Sequence, residues 1–275
     1  MHTLAFPQRC ERFMRRSTVF LLSAIAWRRA GMVLRCGYTA ALFASVVVPS
    51  HAAADANALW HIVGEQCVPD QQRNQSPKPC EQVDLNAGYA VLKDIVGETQ
   101  FLVIPTTRVG GIESPEILAL DAPNYWEAAW QARRYVTDRA QRPLPRDAIS
   151  LAINAVGARS QNQLHIHVDC VRLDVQATLR EHAAAIDAHW SPFPVQLAGH
   201  EHMAMRLAQP DLGQTNPFLL LADGIPGARA DMAHYSLVVV GDTDGFVLLA
   251  GHASALAGDR GSGEELQDHA CAAAH

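Results

Sequence analysis

No stretch of this 275-residue chain reaches the roughly twenty consecutive apolar residues that a membrane-spanning helix needs. No two cysteines stand as Cys-x-x-Cys, and no His-Glu-x-x-His occurs, so the commonest signatures of structural and hydrolytic zinc are missing. Low-complexity tracts and short internal repeats are missing too. Charge is scarce, at 18% of residues against 49% hydrophobic. That composition excludes disordered and collagen-like classes and supports a sizeable core. Positive charge is scarcer still beyond the first 50 residues. Those hold Arg9, Arg12, Arg15, Arg16, Arg28, Arg29 and Arg35 against Glu11, so a chain of net charge −6 leaves a body near −12. An acidic body argues against nonspecific binding to nucleic acid or to anionic lipid.

What is there begins with a leader. Arg35 precedes an apolar stretch from Gly37 to Val48, and Ser50 and Ala52 supply the small residues of a cleavage site after Ala52 or Ala54. This is the layout of an export signal, and Met32 opens it naturally as an alternative start. Residues 1–54 are therefore expected to be a leader and residues 55–275 one exported domain, in the periplasm or associated with the inner membrane. Beyond the leader stand Cys67, Cys80, Cys170 and Cys271, an even set allowing three pairings. Cys67–Cys80 would close the polar, proline-containing loop "CVPDQQRNQSPKPC", which leaves Cys170–Cys271 to tie the C-terminal segment to a central strand. An oxidising compartment permits both; a zinc site is the competing use.

The pattern of the body is α+β, with antiparallel strands and packed helices. "NALWHIVGEQC" is helical, with Asn57 as cap. "YAVLKD" and "TQFLVIP" form a hairpin. "PNYWEAAWQARRYVTDRA" is amphipathic, burying Trp126, Ala129, Trp130 and Val136, and Pro143 and Pro145 follow it. "AISLAIN" and "NQLHIHVDC" are strands joined by "AVGARSQ". A helix runs through "DVQATLREHAAAIDAHW" with Asp174 as cap. "EHMAMRLA" is a strand, and "YSLVVV" and "FVLLAG" form a second hairpin. The two hairpins share an aromatic residue, two apolar strands and a glycine-bearing turn, which suggests a duplication, although hairpins share turn chemistry in any case.

The segment "SQNQLHIHVDC" carries the chemistry. Alternation with period two puts Gln161, Gln163, His165, His167 and Asp169 on one face and Leu164, Ile166, Val168 and Cys170 on the other. A polar row of this kind is costly unless it meets solvent or a ligand. Cys170 points away from the histidines, which favours a disulfide over a Cys/His nucleophile. Three uses of the row compete: an exposed strand face, a metal site lacking an evident further ligand, and phosphoryl or nucleotidyl transfer with imidazole as nucleophile. Imidazole suits the last because its unperturbed pKa of about 6.5 leaves the neutral ring abundant at neutral pH. His167, Ser160 in the preceding turn and Asn154 at the end of the paired strand would then aim donors at phosphate oxygens.

"LAINAVGARSQNQLHIHVDC" resembles the active-site strands of the histidine-triad superfamily. "CVPDQQRNQSPKPC", "NAGYAVLKD", "SLAIN", "GHEH" and "QDHAC" extend the likeness, in order, to the bacterial CDP-diacylglycerol pyrophosphatases, over about Leu59 to Cys271. The resemblance implies a histidine-triad-like sheet and hydrolysis of CDP-diacylglycerol, a membrane lipid, to CMP and phosphatidate without a cofactor or metal. It implies His165 as nucleophile, forming a CMP-histidine intermediate, and His167 as the group that holds phosphate or assists departure. The position of the first triad histidine holds Gln163, which can hydrogen-bond but cannot carry a proton charge. Two alternatives follow: a lipid- or nucleotide-binding relative impaired by Gln163, and a broader nucleotide pyrophosphohydrolase.

Lys93 is a further candidate for the pyrophosphate, and Arg172 for either phosphate or a salt bridge. His200 and His202 in "GHEH" are possible substrate or structural residues. His269 is expected near the strand of His165 if the second disulfide forms, and "DRGSGEE" reads as a flexible turn. Oligomeric state leaves no mark in the sequence.

Overall fold

The computed structural model describes residues 55–272. The expected leader, residues 1–54, lies outside them. The described chain opens with a continuous helical run of α1 (Ala58–Ile62), a π turn (Val63–Cys67) and α2 (Val68–Asn74). Asn57 stands at the N-cap as expected, but its side chain makes no capping bond. The polar segment read as a loop is helical through Asn74. Gln75, at φ 54°, ends it in the left-handed region, a common way to stop a helix.

The strands are β1 (Gln82–Asp84), β2 (Tyr89–Lys93), β3 (Phe101–Pro105), β4 (Ile149–Ile153), β5 (Ile166–Val171), β6 (Ser191–Pro192), β7 (His202–Leu207), β8 (Tyr235–Gly241), β9 (Phe246–His252) and β10 (Gln267–Asp268). They form one ten-stranded sheet in the order β1-β2-β3-β5-β4-β8-β9-β7-β6, with β10 pairing β5. Every pairing is antiparallel. The architecture is α+β, as the pattern predicts. Among the described residues no helix is long and apolar enough to cross a membrane.

Three helices complete the fold: α3 (Tyr125–Ala140), α4 (Leu173–Glu181) and α5 (Pro217–Gly224). The side chain of Asn124 caps α3 by accepting from Glu127 N at 3.0 Å, and α3 buries the predicted Trp126, Ala129, Trp130 and Val136. Asp174 does not cap α4. Arg172 holds that position, and Asp174 lies in the first turn, paired to Arg172 Nη2 at 2.7 Å. The helix stops at Glu181, short of Trp190, because Ala183–Ala185 tighten into a 3-10 turn.

The two faces of the sheet are covered differently. One face packs α3 and α5 over a single core that includes Leu151, Val168, Val239 and Leu248. On the other face, α1 and the π turn cover Ala90, Leu92, Leu102 and Ile104 at one end. Helix α4 covers Val238, Val240, Val247 and Leu249 at the other. The histidine row of β5 lies between these two caps.

The topology relocates the suspected duplication. The unit β3-α3-β4-β5 places its strands in the spatial order β3-β5-β4, and β7-α5-β8-β9 places its strands in the order β7-β9-β8. Both helices pack the same face. The two units meet where β4 pairs β8. The second hairpin therefore matches β4-β5, not the β2-β3 hairpin that it resembles in sequence.

Both expected disulfides are present. Cys67–Cys80 closes 13 residues, and Cys170–Cys271 closes 101. Loop-closure entropy rates such rings at about 3 and 4.7 kcal/mol respectively. The longer ring brings β10 against β5, with Asp268 opposite Cys170.

Candidate active site

His165, His167 and Asp169 occur at every second position of the segment entering and forming β5. All are buried, with exposures of 7%, 4% and 0%. A buried polar row must find partners or lose stability. Nδ1 of His165 lies 2.7 Å from the backbone oxygen of Gln163. A carbonyl oxygen only accepts, so the ring proton sits on Nδ1 and the lone pair on Nε2. Burial pushes the pKa of this ring down. His165 is thus a neutral imidazole with Nε2 free to attack.

His167 is held differently. Its Nδ1 stands between an amide donor, Gln100 Nε2 at 3.0 Å, and a carboxylate acceptor, Glu264 Oε1 at 3.1 Å. Its Nε2 is buried and has no partner within the described protein. Burial pushes the His167 pKa well down, reinforced by His165 and His269, so it too is neutral despite the nearby carboxylate. The two rings are 4.8 Å apart between centroids, at 70°. One side chain offers a lone pair, and its neighbour a ring nitrogen without a protein partner.

Glu264 ties the surroundings together, and sequence reasoning missed it by assigning "DRGSGEE" to a flexible turn. It lies in a 3-10 turn, Gly263–Leu266. Its carboxylate accepts from Asn154 Nδ2 at 2.5 Å and from Gln100 Nε2 at 3.2 Å, and its own N–H donates to Asn154 Oδ1 at 3.2 Å. Asn154 is buried at the end of β4, which brings it to the histidines as predicted. Gln100 was also missed. Strand alternation could have marked it: Leu102 stands opposite His167, so Gln100 is the polar member of a row otherwise apolar.

The remaining predicted residues divide. Ser160 is exposed and lines the cleft with His165, His167, Asn154 and Lys93. Nζ of Lys93 donates to the backbone oxygens of Asp94 at 2.7 Å and Gly97 at 2.9 Å, leaving one of its three N–H groups. Gln163 is fully buried and faces elsewhere. Its Nε2 donates to Pro105 O at 3.2 Å and Thr107 O at 2.8 Å, and its Oε1 accepts from Val109 N at 3.4 Å. It secures the segment after β3, while its backbone oxygen orients His165. Gln161 accepts from Leu59 N at 3.1 Å, which seats α1 beside the cleft.

Behind the histidines, Asp169 accepts from Thr99 Oγ1 at 2.6 Å and lies 3.0 Å from His269 Nδ1. The hydrogen bond from His269 to Asp169 raises the His269 pKa. The predicted approach of His269 to this strand is therefore present. Arg172 pairs with Asp174 and donates to Glu265 O at 3.1 Å. His200 lies 2.7 Å from Glu265 and 3.7 Å from Asp259; none of those three lines the cleft.

The cleft holds about 550 Å³, within the range of small-molecule sites. Its lining combines both histidines, Asn154 and Glu264 with the apolar side chains of Leu59, Ile62, Leu92, Leu102, Ile95 and Val96.

A sequence model of the family described as CDP-diacylglycerol pyrophosphatase matches residues 54–275. A CDP-diacylglycerol pyrophosphatase of Yersinia pestis is similar at 41% identity over 249 residues, covering 90% of this chain and 95% of the relative.

Proposed function

The chain belongs to the CDP-diacylglycerol pyrophosphatase family, and from that membership we propose that it hydrolyses CDP-diacylglycerol to CMP and phosphatidate through His165. Nε2 of His165 attacks the nucleotide-side phosphorus. An N–P bond forms as the bond from that phosphorus to the bridging oxygen breaks, and phosphatidate leaves with the electron pair. His167 Nε2–H donates to a phosphate oxygen or to the departing one. Water then attacks the phosphorus, the N–P bond breaks with its electron pair returning to Nε2, and the water's protons pass to the product phosphate and solvent, leaving His165 neutral. Asn154 and Ser160 add donors from the β4 side of the cleft, and the free N–H of Lys93 adds another from the opposite wall.

The observation that carries this reading is neutral His165 with Nδ1 held by the Gln163 backbone oxygen, which leaves the lone pair on Nε2. That orientation does not depend on the Gln163 side chain. Replacement of a triad histidine by glutamine therefore leaves the nucleophile oriented, which favours an active enzyme over an impaired binding relative. The two disulfides support an oxidising compartment, in keeping with our reading of residues 1–54 as an export leader and of the periplasm as the site of action.

The test is CMP release from CDP-diacylglycerol by the purified protein, with acid-quenched reactions searched for a labelled His165 peptide. Substrate bound without CMP release would refute the enzyme reading. CMP release with full turnover by His165→Ala would refute the intermediate. Equal rates on CDP-alcohols and nucleotide sugars would identify a broader pyrophosphohydrolase.

A further inference from the structure

The turn between β2 and β3 presents Ile95 at 99% exposure and Val96 at 53%. Both also line the cleft. Exposed apolar side chains are ordinary when scattered, but this pair is built in. Val96 N donates to Asp94 Oδ1 at 3.0 Å. Lys93 fastens both ends of the turn through Asp94 O and Gly97 O. Gly97, at φ +70°, sits so close to His269 that an added Cβ would come within 2.7 Å of that residue's Cβ, and Glu98 N donates to His269 O at 3.0 Å. The turn is thus braced from below by the segment that pairs with the active-site strand. The bracing holds two apolar side chains outward.

We propose that Ile95 and Val96 are the lipid-contacting rim of the site, over which the acyl chains of the substrate pass between the bilayer and the cleft. The proposal rests on the reading of the chain as a CDP-diacylglycerol hydrolase and assigns the two ends of its cleft. The nucleotide lies toward Ser160 and Asn154. The glycerolipid lies along Leu59, Ile62 and Leu92 toward the turn. A cleft of about 550 Å³ is too small for the nucleotide head together with two long acyl chains, so the chains must leave it. Ile95 and Val96 are the most exposed of the large apolar side chains that line it. Asp94 and Glu98 flank the pair, so the rim suits apolar or zwitterionic surroundings better than an anionic lipid surface.

The experiment uses the full chain with Ile95→Ser/Val96→Ser and compares two forms of substrate. One is CDP-diacylglycerol with long chains in phosphatidylcholine vesicles. The other is a short-chain CDP-diacylglycerol held below its aggregation concentration. Removing two apolar anchors is expected to lower the rate on vesicles about tenfold or more and the rate on the monomeric substrate several-fold less, with an unchanged thermal unfolding midpoint showing that the variant is folded. Ile95→Leu/Val96→Ile should restore the vesicle rate. Wild-type turnover of vesicle substrate by the serine variant overturns the rim while leaving the hydrolase reading intact. Equal losses on both substrates also overturn it, as a defect of the site itself. Failure of the parent to release CMP from either form would instead refute the hydrolase reading.

Discussion

The two strand-helix-hairpin units share one sheet and one core yet differ on the face opposite their helices. In the first unit, β5 shows that face His167 and Asp169, following His165. In the second, β9 shows it Val247 and Leu249, packed beneath α4. The backbone plan is common to both, and what differs is the supply of partners. Gln163 O, Gln100, Thr99, His269 and Glu264 surround the polar row. Those partners come from the segment before β3, the loop entering β5 and the segments on either side of β10. A polar row is tolerated where long-range segments return to satisfy it.

That contrast can be broken from either side. The largest effect is expected from His165→Ala, which should lower CMP release by at least about 10³-fold, as loss of a nucleophile does, with thermal unfolding showing an intact fold. The mirror experiment puts a histidine into the second unit. Leu249→His loses buried apolar contact and strands a polar ring without partners, a cost of about 3 kcal/mol, read as a shift of the denaturation midpoint. A Leu249→His protein as stable as its parent would show that the second face is more permissive than its packing implies.

Glu264→Gln tests the supply of partners. Its amide keeps the shape but puts an N–H where an acceptor is needed, so Asn154 and His167 should drift and kcat should fall between about tenfold and a hundredfold. The pH response is the mildest probe. Burial holds His165 neutral, so the acid limb of kcat/KM should fall below pH 6.5, with activity rising as His165 deprotonates. His165 and His167 are lowered in the fold, so their effect on stability is most favourable above about pH 6.5, the unfolded value, and declines as pH falls toward their folded values. His269 has the opposite sign. Its raised pKa gives stability fully present below about 6.5 and lost as pH rises through the folded value. Asp169→Asn should therefore narrow the stability gap between pH 6 and pH 8.5 on the His269 side, measured by thermal unfolding.

The sequence made the local parts of this site legible. Period-two alternation placed His165, His167 and Asp169 together and turned Cys170 toward the core. Polarity and spacing favoured the two cysteine pairs that form, and the amphipathic stripe of α3 was correct. Contacts set by tertiary return were not legible. Glu264 is 110 residues from Asn154 and 164 from Gln100, and nothing in a glycine-rich turn marks a carboxylate that will meet them. Gln163 was judged by its place in the row, but its amide is engaged by backbone groups of Pro105, Thr107 and Val109, which have no side-chain signature. The end of α4 was misplaced because the alanine-rich run Ala183–Ala185 has helical propensity, yet it closes as a 3-10 turn.

The Cys170–Cys271 ring has a consequence in time. Asn154, His165 and His167 are synthesised early, while Glu264 and His269 follow only after the whole second unit has been made. The histidine pair therefore exists long before Glu264 and His269. The covalent bond that fixes the late segment forms only where thiols can be oxidised. A chain kept reduced lacks the covalent bond that fixes the segment carrying Glu264 and His269, so that segment is the last part of the site to be secured.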